Sequence, residues 1–169
     1  IAHIVLMDNN FNSIPYVVGE GRRVINNIEK SSSLFLMKTI FTMVLAIISI
    51  IGGNLFPFKS NMMTLLEFVV IGFGSFALSM QPNTNKVKGK FIGYLFSHAL
   101  PGATILLFNV LAFQLIKSFG IDFNEITPRM YDTLLVAALT FGGTAYFVII
   151  CKPYDTYKTI VTAIIMLSC

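Results

Sequence analysis

Two ionisable side chains lie inside long apolar runs of the sequence, where water does not solvate them. Lys38 is the fifth residue of the run 34–53, and Glu67 is the sixth residue of the run 62–80. A charge at the centre of a membrane-spanning helix costs about 2.5–3.5 kcal/mol on insertion scales, so such charges usually have a function. We therefore expect Glu67 to be a cation ligand or a proton carrier that faces the interior of a helical bundle.

Both charges also have a purely structural explanation, which the sequence leaves open. The long side chain of Lys38 can extend its ammonium group to the nearby headgroups. Glu67 can be protonated and bonded to a neighbouring helix. Hydroxyl groups on the same two runs would add oxygens to a cation site, although hydroxyls inside a membrane often bond their own helix. They belong to Thr39, Thr42, Thr64 and Ser75.

A pair of glycines follows Glu67 in the second run. Gly72 and Gly74 flank Phe73 just over one turn after the carboxylate. Small residues permit close packing of membrane helices. They also permit an unwound turn whose free carbonyl groups coordinate a cation. Gly142 and Gly143 have no ionisable neighbour, and we interpret them as packing residues.

The composition of the chain excludes a soluble domain. Of its 169 residues, 55% are hydrophobic and only 12% are charged, whereas soluble domains carry about 25% charged residues. The two cysteines, Cys151 and Cys169, are too few and too far apart for a disulfide framework or a metal cluster. The sequence therefore predicts an integral membrane protein.

Five apolar runs are long and continuous enough to predict helices that cross a bilayer, the last of them incomplete at the end of the chain. They lack the alternation of an outer-membrane barrel, so the predicted fold class is an all-α integral membrane bundle. Residues 34–169 form this transmembrane domain. The predicted spans are 34–53, 62–80, 95–116, 133–151 and 159–169.

Basic residues outside the spans predict the orientation of the chain. Eight of them fall on the side of the N-terminus and three on the other, which places the N-terminal segment in the cytoplasm. They flank apolar runs rather than forming a stripe, which argues against a nucleic-acid partner. The eight are Arg22, Arg23, Lys30, Lys86, Lys88, Lys90, Lys152 and Lys158, and the three are Lys59, Lys117 and Arg129.

The first 33 residues differ from the rest of the chain. Residues 4–8 predict a short buried strand, and Ser13 is a candidate N-cap of a helix that has Pro15 in its first turn. This helix would continue into the first span for about 40 residues, or about 60 Å, with Gly19 and Gly21 as the places where it could break. Such a rod would link a cytoplasmic domain to the bilayer.

The motifs of this region resemble those of the P-type (E1-E2) cation-transporting ATPases. The segments 4–11 (IVLMDNNF) and 18–28 (VGEGRRVINNI) resemble the junction where the last strand of the phosphorylation domain leads into the stalk and the fifth transmembrane helix. The segment 66–83 resembles the sixth helix and the loop after it. The resemblance covers most of residues 1–95, and it points to a bacterial subgroup of calcium or other cation transporters.

The resemblance implies a function and the parts needed for it. The five spans would be the fifth to the ninth helix of a pump, with residues 1–33 as the end of the phosphorylation domain and the stalk. The phosphorylated aspartate and the loop that binds magnesium would lie upstream, so ATP and magnesium would be cofactors of the parent and this segment would not be catalytic alone. The implied partners are the bilayer, a transported cation and the other domains of the ATPase, in the bacterial plasma membrane.

The chain departs from the family pattern at several ligand positions. Lys38 falls where the gastric proton/potassium pump also has a lysine, whereas Thr42 replaces a carboxylate of calcium pumps. Glu67 takes the place of an asparagine ligand, Ile71 replaces an aspartate and Gly74 replaces a proline. Calcium prefers six to eight oxygen ligands, so we expect either further ligands from a missing helix or a different ion. Lys38 near Glu67 would act as an internal counter-charge that exchanges with the transported cation or proton.

Two other functions fit part of the sequence. A secondary cation transporter or a channel would use Glu67 and Lys38 without ATP, but it does not require the long extension before Leu34. A structural bundle without transport leaves two intramembrane charges unexplained. We therefore expect the membrane domain of an ATP-driven cation pump, with a secondary transporter as the alternative.

Overall fold

A computed structural model describes residues 11–52, 58–87, 90–118, 128–152 and 154–168. The strand predicted over 4–8 lies outside these residues, as does Cys169. Every regular element in the described part is helical. A 3-10 turn, Phe11–Ser13, precedes α1 (Ile14–Ile51); a second 3-10 turn (Ser60–Met63) and a π-helix (Leu66–Phe73) lead into α2 (Gly74–Ser79); α3 (Phe91–Ser118), α4 (Pro128–Ile150) and α5 (Thr156–Ser168) follow.

The predicted long first helix is present as α1. It has 38 residues, begins after Ser13 and carries Pro15 in its first turn, where a missing N–H costs nothing. At 1.5 Å per residue its length is about 57 Å. The helix continues through Gly19 and Gly21 without a break. The polar segment and the first apolar run therefore form one continuous rod.

The second apolar run has a less regular backbone than the others. Its central part, Leu66–Phe73, is a π-helix of eight residues, and α2 begins at Gly74. The chain thus stays helical at Gly72 and Gly74, where an unwound turn was one of the two expectations. π-Helical segments are rare and frequently occur at functional sites, so the π-helix marks the second run as a candidate functional segment.

Helix length and composition support the predicted membrane bundle. The helices Phe11–Ile51, Phe91–Ile116 and Arg129–Ile150 are long and apolar enough to cross a bilayer, and Leu66–Ser79 and Thr156–Ser168 are shorter apolar helices. Large apolar side chains such as Phe68 and Phe108 point outward. An apolar exterior suits contact with lipid, and the fold is an all-α membrane bundle.

The core forms where stripes on α1 and α3 meet. Both stripes repeat every three or four residues, which places their members on one face of each helix. On α3 two of the four residues are alanines, which allows the two backbones to approach closely. The stripe on α1 comprises Leu34, Met37, Phe41 and Leu45, and that on α3 comprises Ala99, Ala103, Leu106 and Val110; all are at most 1% exposed.

Glycines allow the closest contacts between helices. A Cβ atom at Gly143 of α4 would collide with Leu66 at the start of the π-helix, and a Cβ at Gly74 would lie 2.6 Å from the ring of Phe147. The geometry at Gly143 agrees with its interpretation as a packing residue. Gly74 likewise contributes to packing, which holds the second apolar run against α4.

Candidate functional site

Lys38 and Glu67 meet between α1 and the π-helix. Lys38 Nζ lies 2.6 Å from Glu67 Oε1, and the two side chains are 31% and 44% exposed. Lys38 follows Met37, which is fully buried in the α1 stripe, so its Cα is fixed at the bundle wall. Its ammonium group contacts the carboxylate of the second run. The structure thus brings together the two charges that the sequence singled out.

Glu67 also lines a groove on the outside of the second run. The groove has a volume of about 480 Å³, and three of its six lining residues are phenylalanines. The Glu67 side chain is 44% exposed, so a cation can reach its carboxylate. The lining residues are Thr64, Glu67, Phe68, Gly72, Phe73 and Phe76.

The π-helix determines how Glu67 is presented. Glu67 is its second residue, and hydrogen bonds of a π-helix join residues five apart. Gly72 lies five residues later, and a Cβ at this position would be 3.1 Å from the carbonyl oxygen of Glu67. A larger residue would crowd that oxygen. Gly72 therefore fits the wide turn that follows the carboxylate.

Three of the four hydroxyl groups that the sequence predicted as extra ligands donate to nearby backbone carbonyls, and the fourth, on Thr64, belongs to a residue that lines the groove. Thr39 Oγ1 donates to Phe35 O at 3.0 Å, and Ser75 Oγ donates to Gly72 O at 3.0 Å. Thr42 Oγ1 donates to the carbonyls of Lys38 and Thr39, at 3.0 and 3.1 Å. Each oxygen keeps lone pairs that can accept or coordinate. Thr39, Thr42 and Ser75 are not among the residues that line the groove.

The described residues offer one carboxylate to a cation at this place. They contain no group of three or more His, Cys, Asp or Glu side chains that could hold a metal ion. A divalent cation such as calcium prefers six to eight oxygens. Glu67 can thus be one ligand of a site that takes its other ligands from residues beyond those described.

Asparagines of α1 bind the segment that follows α2. Asn27 Nδ2 donates to Ser79 O at 2.9 Å and to Gln81 O at 2.7 Å, and Asn27 is only 3% exposed. Asn26 Nδ2 donates to the carbonyls of Asn83 and Asn85 at 3.2 and 2.9 Å. Sequence reasoning missed this contact because side-chain amides in a polar segment are usually solvated. The long helix is thereby fastened to the end of the run that carries Glu67.

We predict that Asn27→Ala frees the segment 79–85 from α1. The substitution removes a buried donor from two carbonyl groups, and each buried group left without its partner costs about 1–3 kcal/mol. Hydrogen exchange in 79–85 should accelerate accordingly. Asn26→Ala is the matched control: its bond to Asn85 O is exposed and its bond to Asn83 O is only part-buried, so water replaces them more readily and the effect should be smaller. Equal effects of the two substitutions would contradict the assignment.

Charged side chains close to Asn27 are also buried, although the sequence predicted a solvated segment before the first apolar run. We call this region the basic end of the bundle. It is formed by residues 26–33 of α1, the segment 79–87, the start of α3, and residues 151–152 and 154–158. Here Glu29, Lys30 and Lys158 are at most 7% exposed. Lys30 precedes the apolar run, and burial beside Lys158 lowers its pKa to about 8. The periodicity of a polar segment does not reveal which of its charges a neighbouring helix covers.

Comparison with known proteins identifies relatives along nearly the whole chain. It is 33% identical to "Calcium-transporting ATPase CtpE" of Mycolicibacterium smegmatis, over 99% of this chain and 22% of that protein. It is 32% identical to "Probable cation-transporting ATPase exp7" of Streptococcus pneumoniae, over 95% of this chain and 21% of that protein. The predicted resemblance to cation-transporting P-type ATPases is confirmed. No family model and no solved structure matches.

These relatives also define how much of such a protein is present. The chain spans about a fifth of the length of the curated relatives that it matches. Its similarity extends past the motifs before residue 95 to the later helices, where the sequence alone offered only the pattern of spans. The chain is thus similar to one membrane segment of bacterial cation-transporting ATPases, and its helices are those of a multi-pass membrane protein.

Proposed function

We propose that this chain is part of the membrane domain of an ATP-driven cation pump. In this proposal Glu67 is a ligand of the transported cation, Lys38 is its internal counter-charge, and α1 is the stalk that transmits the state of the ATP-hydrolysing domains. The observation that carries the proposal is the contact of 2.6 Å between Lys38 Nζ and Glu67 Oε1, made by a helix that extends about 30 Å before its apolar run.

The contact suggests how a cation exchanges with the protein. Lys38 neutralises the carboxylate, which lowers the cost of holding a charge in the bilayer. A cation or proton that binds Glu67 competes with Nζ for the same oxygen. Movement of α1 relative to the π-helix would therefore change the affinity of Glu67 for its cargo. This is the requirement for alternating access in a pump.

The long helix provides a route for that movement. Ser31 Oγ donates to Ser75 O at 3.1 Å, and Asn27 binds the carbonyls of Ser79 and Gln81. α1 is therefore bonded to α2 and to the segment after it, and a displacement of α1 reaches the run that carries Glu67. We propose that ATP and magnesium act in other domains of the pump, on the cytoplasmic side that also holds the N-terminal end of this chain, in the bacterial plasma membrane.

Three hydroxyl groups and Gly72 would assist cation binding in this proposal. Thr39, Thr42 and Ser75 keep lone pairs that can serve a cation once the helices move, and Gly72 leaves room beside the Glu67 carbonyl. Calcium is the cargo in the printed name of one relative, and we propose a metal cation of this kind or a proton as the cargo here. A secondary transporter has no need of the bonds between the extension of α1 and the segment 79–85.

An ion screen of phosphoenzyme formation tests the proposal. The complete pump polypeptide, reconstituted in lipid, is incubated with labelled ATP and single cations, including calcium, potassium and sodium, and with protons alone. We expect one cation to raise or lower the steady-state phosphoenzyme in a concentration-dependent manner. Cation transport that proceeds without ATP and without phosphoenzyme would support the secondary transporter instead.

A further inference from the structure

One carboxyl group at the basic end is buried without serving the Lys38–Glu67 pair. Glu29 of α1 is 5% exposed, and among the described residues no donor reaches its Oε1. An ionised carboxylate in such a place loses hydration, and its Oε1 gains no hydrogen bond from the described residues in return, whereas the protonated acid is buried at lower cost. The environment thus favours a neutral Glu29.

The residues that face Glu29 belong to α3, which is hydrogen-bonded to α4. The titratable groups that interact with Glu29 across this interface are Tyr94 and His98. Their rings stack with centroids 4.0 Å apart. Tyr146 of α4 donates its hydroxyl hydrogen to His98 O at 2.8 Å, which holds α3 in place.

Hydrogen bonding fixes the imidazole of His98. His98 Nδ1 lies 3.0 Å from Tyr94 O and 3.1 Å from Ser97 Oγ. A positive charge on the imidazole would favour an ionised Glu29. On α1 itself, the adjacent Lys30 interacts with Lys158 and Cys151 and therefore faces α5 instead.

We propose that Glu29 is a proton-binding residue whose protonation keeps residues 26–33 of α1 packed against α3. Ionisation of Glu29 draws water into the interface and loosens α1 there. Two residues before it, Asn27 fastens α1 to the segment 79–85. Protonation of Glu29 therefore controls the stability of α1 packing at this place, independently of the Lys38–Glu67 pair farther along α1.

The sign of the pH dependence follows from linkage. Glu29 lies outside the apolar run that starts at Leu34, and burial raises its pKa above the ordinary value of 4.5, against the opposing effect of His98. The packed state then holds more protons than the opened state, so its stability decreases as the pH rises above that ordinary value and levels off once the packed group is ionised.

Hydrogen exchange of the full chain in lipid nanodiscs tests the proposal without ATP or a transported cation. After correction for intrinsic chemistry, exchange in 26–36 should accelerate as the pH rises above the ordinary carboxyl value of 4.5, by at most about tenfold per pH unit. Glu29→Gln, which mimics the neutral acid, should abolish this pH dependence. Glu20→Gln is the matched control, since Glu20 lies on the same helix, about 40% exposed, in a salt bridge with Arg23, and it should retain the dependence.

Two further measurements keep the test decisive if Glu29→Gln folds poorly. Infrared difference spectra should show a carboxylic-acid carbonyl band that disappears as the pH rises through the same range. His98→Gln removes the charge that favours ionised Glu29, so the acceleration should move to higher pH. Absence of the band, equal pH dependence in Glu29→Gln, or loss of packing in His98→Gln at low pH would overturn the proposal. None of these outcomes depends on pump activity, so each can fail while the proposed function stands.

Discussion

Replacing Glu67 by Gln should reduce cation-stimulated ATPase activity of the complete pump by at least about tenfold, the factor that about 1.4 kcal/mol of lost stabilisation produces. The amide keeps the shape of the side chain but removes the charge that lies 2.6 Å from Lys38 Nζ. A transported cation then loses its carboxylate ligand. Steady-state ATP hydrolysis over a range of concentrations of the stimulating ion measures the effect.

The same substitution leaves Lys38 as an uncompensated charge in the bilayer, so a loss of activity could reflect misfolding. The double variant Lys38→Met with Glu67→Gln separates the two causes, because it removes both charges and the insertion cost of about 2.5–3.5 kcal/mol that accompanies an isolated one. We expect it to fold like the wild type and to remain inactive. Recovery of activity in the double variant would show that the pair has only a structural role.

A second ion pair, whose lysine is more exposed than Lys38, provides the control. Lys59 Nζ and Asp132 Oδ2 are 3.3 Å apart, and Lys59 is 75% exposed. Exposed pairs contribute about 0–1 kcal/mol, so Lys59→Met with Asp132→Asn should leave the activity close to that of the wild type. An equal loss in this control would indicate that any altered charge impairs the protein.

Replacing Gly102 by Val should cause the largest loss of stability among the glycine substitutions on α3. A Cβ at this position would lie 2.6 Å from Tyr146 Cε2 and 2.8 Å from Met37 Sδ. Tyr146 cannot move away easily, because its hydroxyl is bonded to His98 O and the residue is 2% exposed. Overpacking of a core costs about 1–3 kcal/mol, and the apparent melting temperature should fall by about 5 °C or more.

Gly93→Val is the matched control for this prediction. Gly93 lies on the same helix, and nothing is within 4 Å of its Cβ position, so its apparent melting temperature should change little. Tyr146→Ala should restore part of the stability lost in Gly102→Val, because the two residues compete for one space. Similar losses at both glycines, without such recovery, would mean that helix flexibility rather than packing determines the effect.

The fold was largely predictable because membrane helices are determined by local sequence. An apolar run that crosses lipid must satisfy its own backbone hydrogen bonds, so its length alone predicts a helix. The rod α1 followed from the N-cap at Ser13, Pro15 and the lack of any further proline before residue 57. The π-helix over Leu66–Phe73 was not predicted from the sequence, and its first residue, Leu66, packs against Gly143, a residue distant in sequence.

The sequence by itself determined which residues carry charge into the bilayer, because the cost of that charge depends on the apolar run around it. Only the tertiary structure decided which partners the polar groups have: Lys38 contacts Glu67, Asn27 binds the carbonyls at the end of the second run, and the buried Glu29 interacts with Tyr94 and His98 of α3. Partners depend on the rotation of each helix about its axis. That rotation is set by the combined packing of many apolar side chains from distant parts of the chain, which no single segment contains.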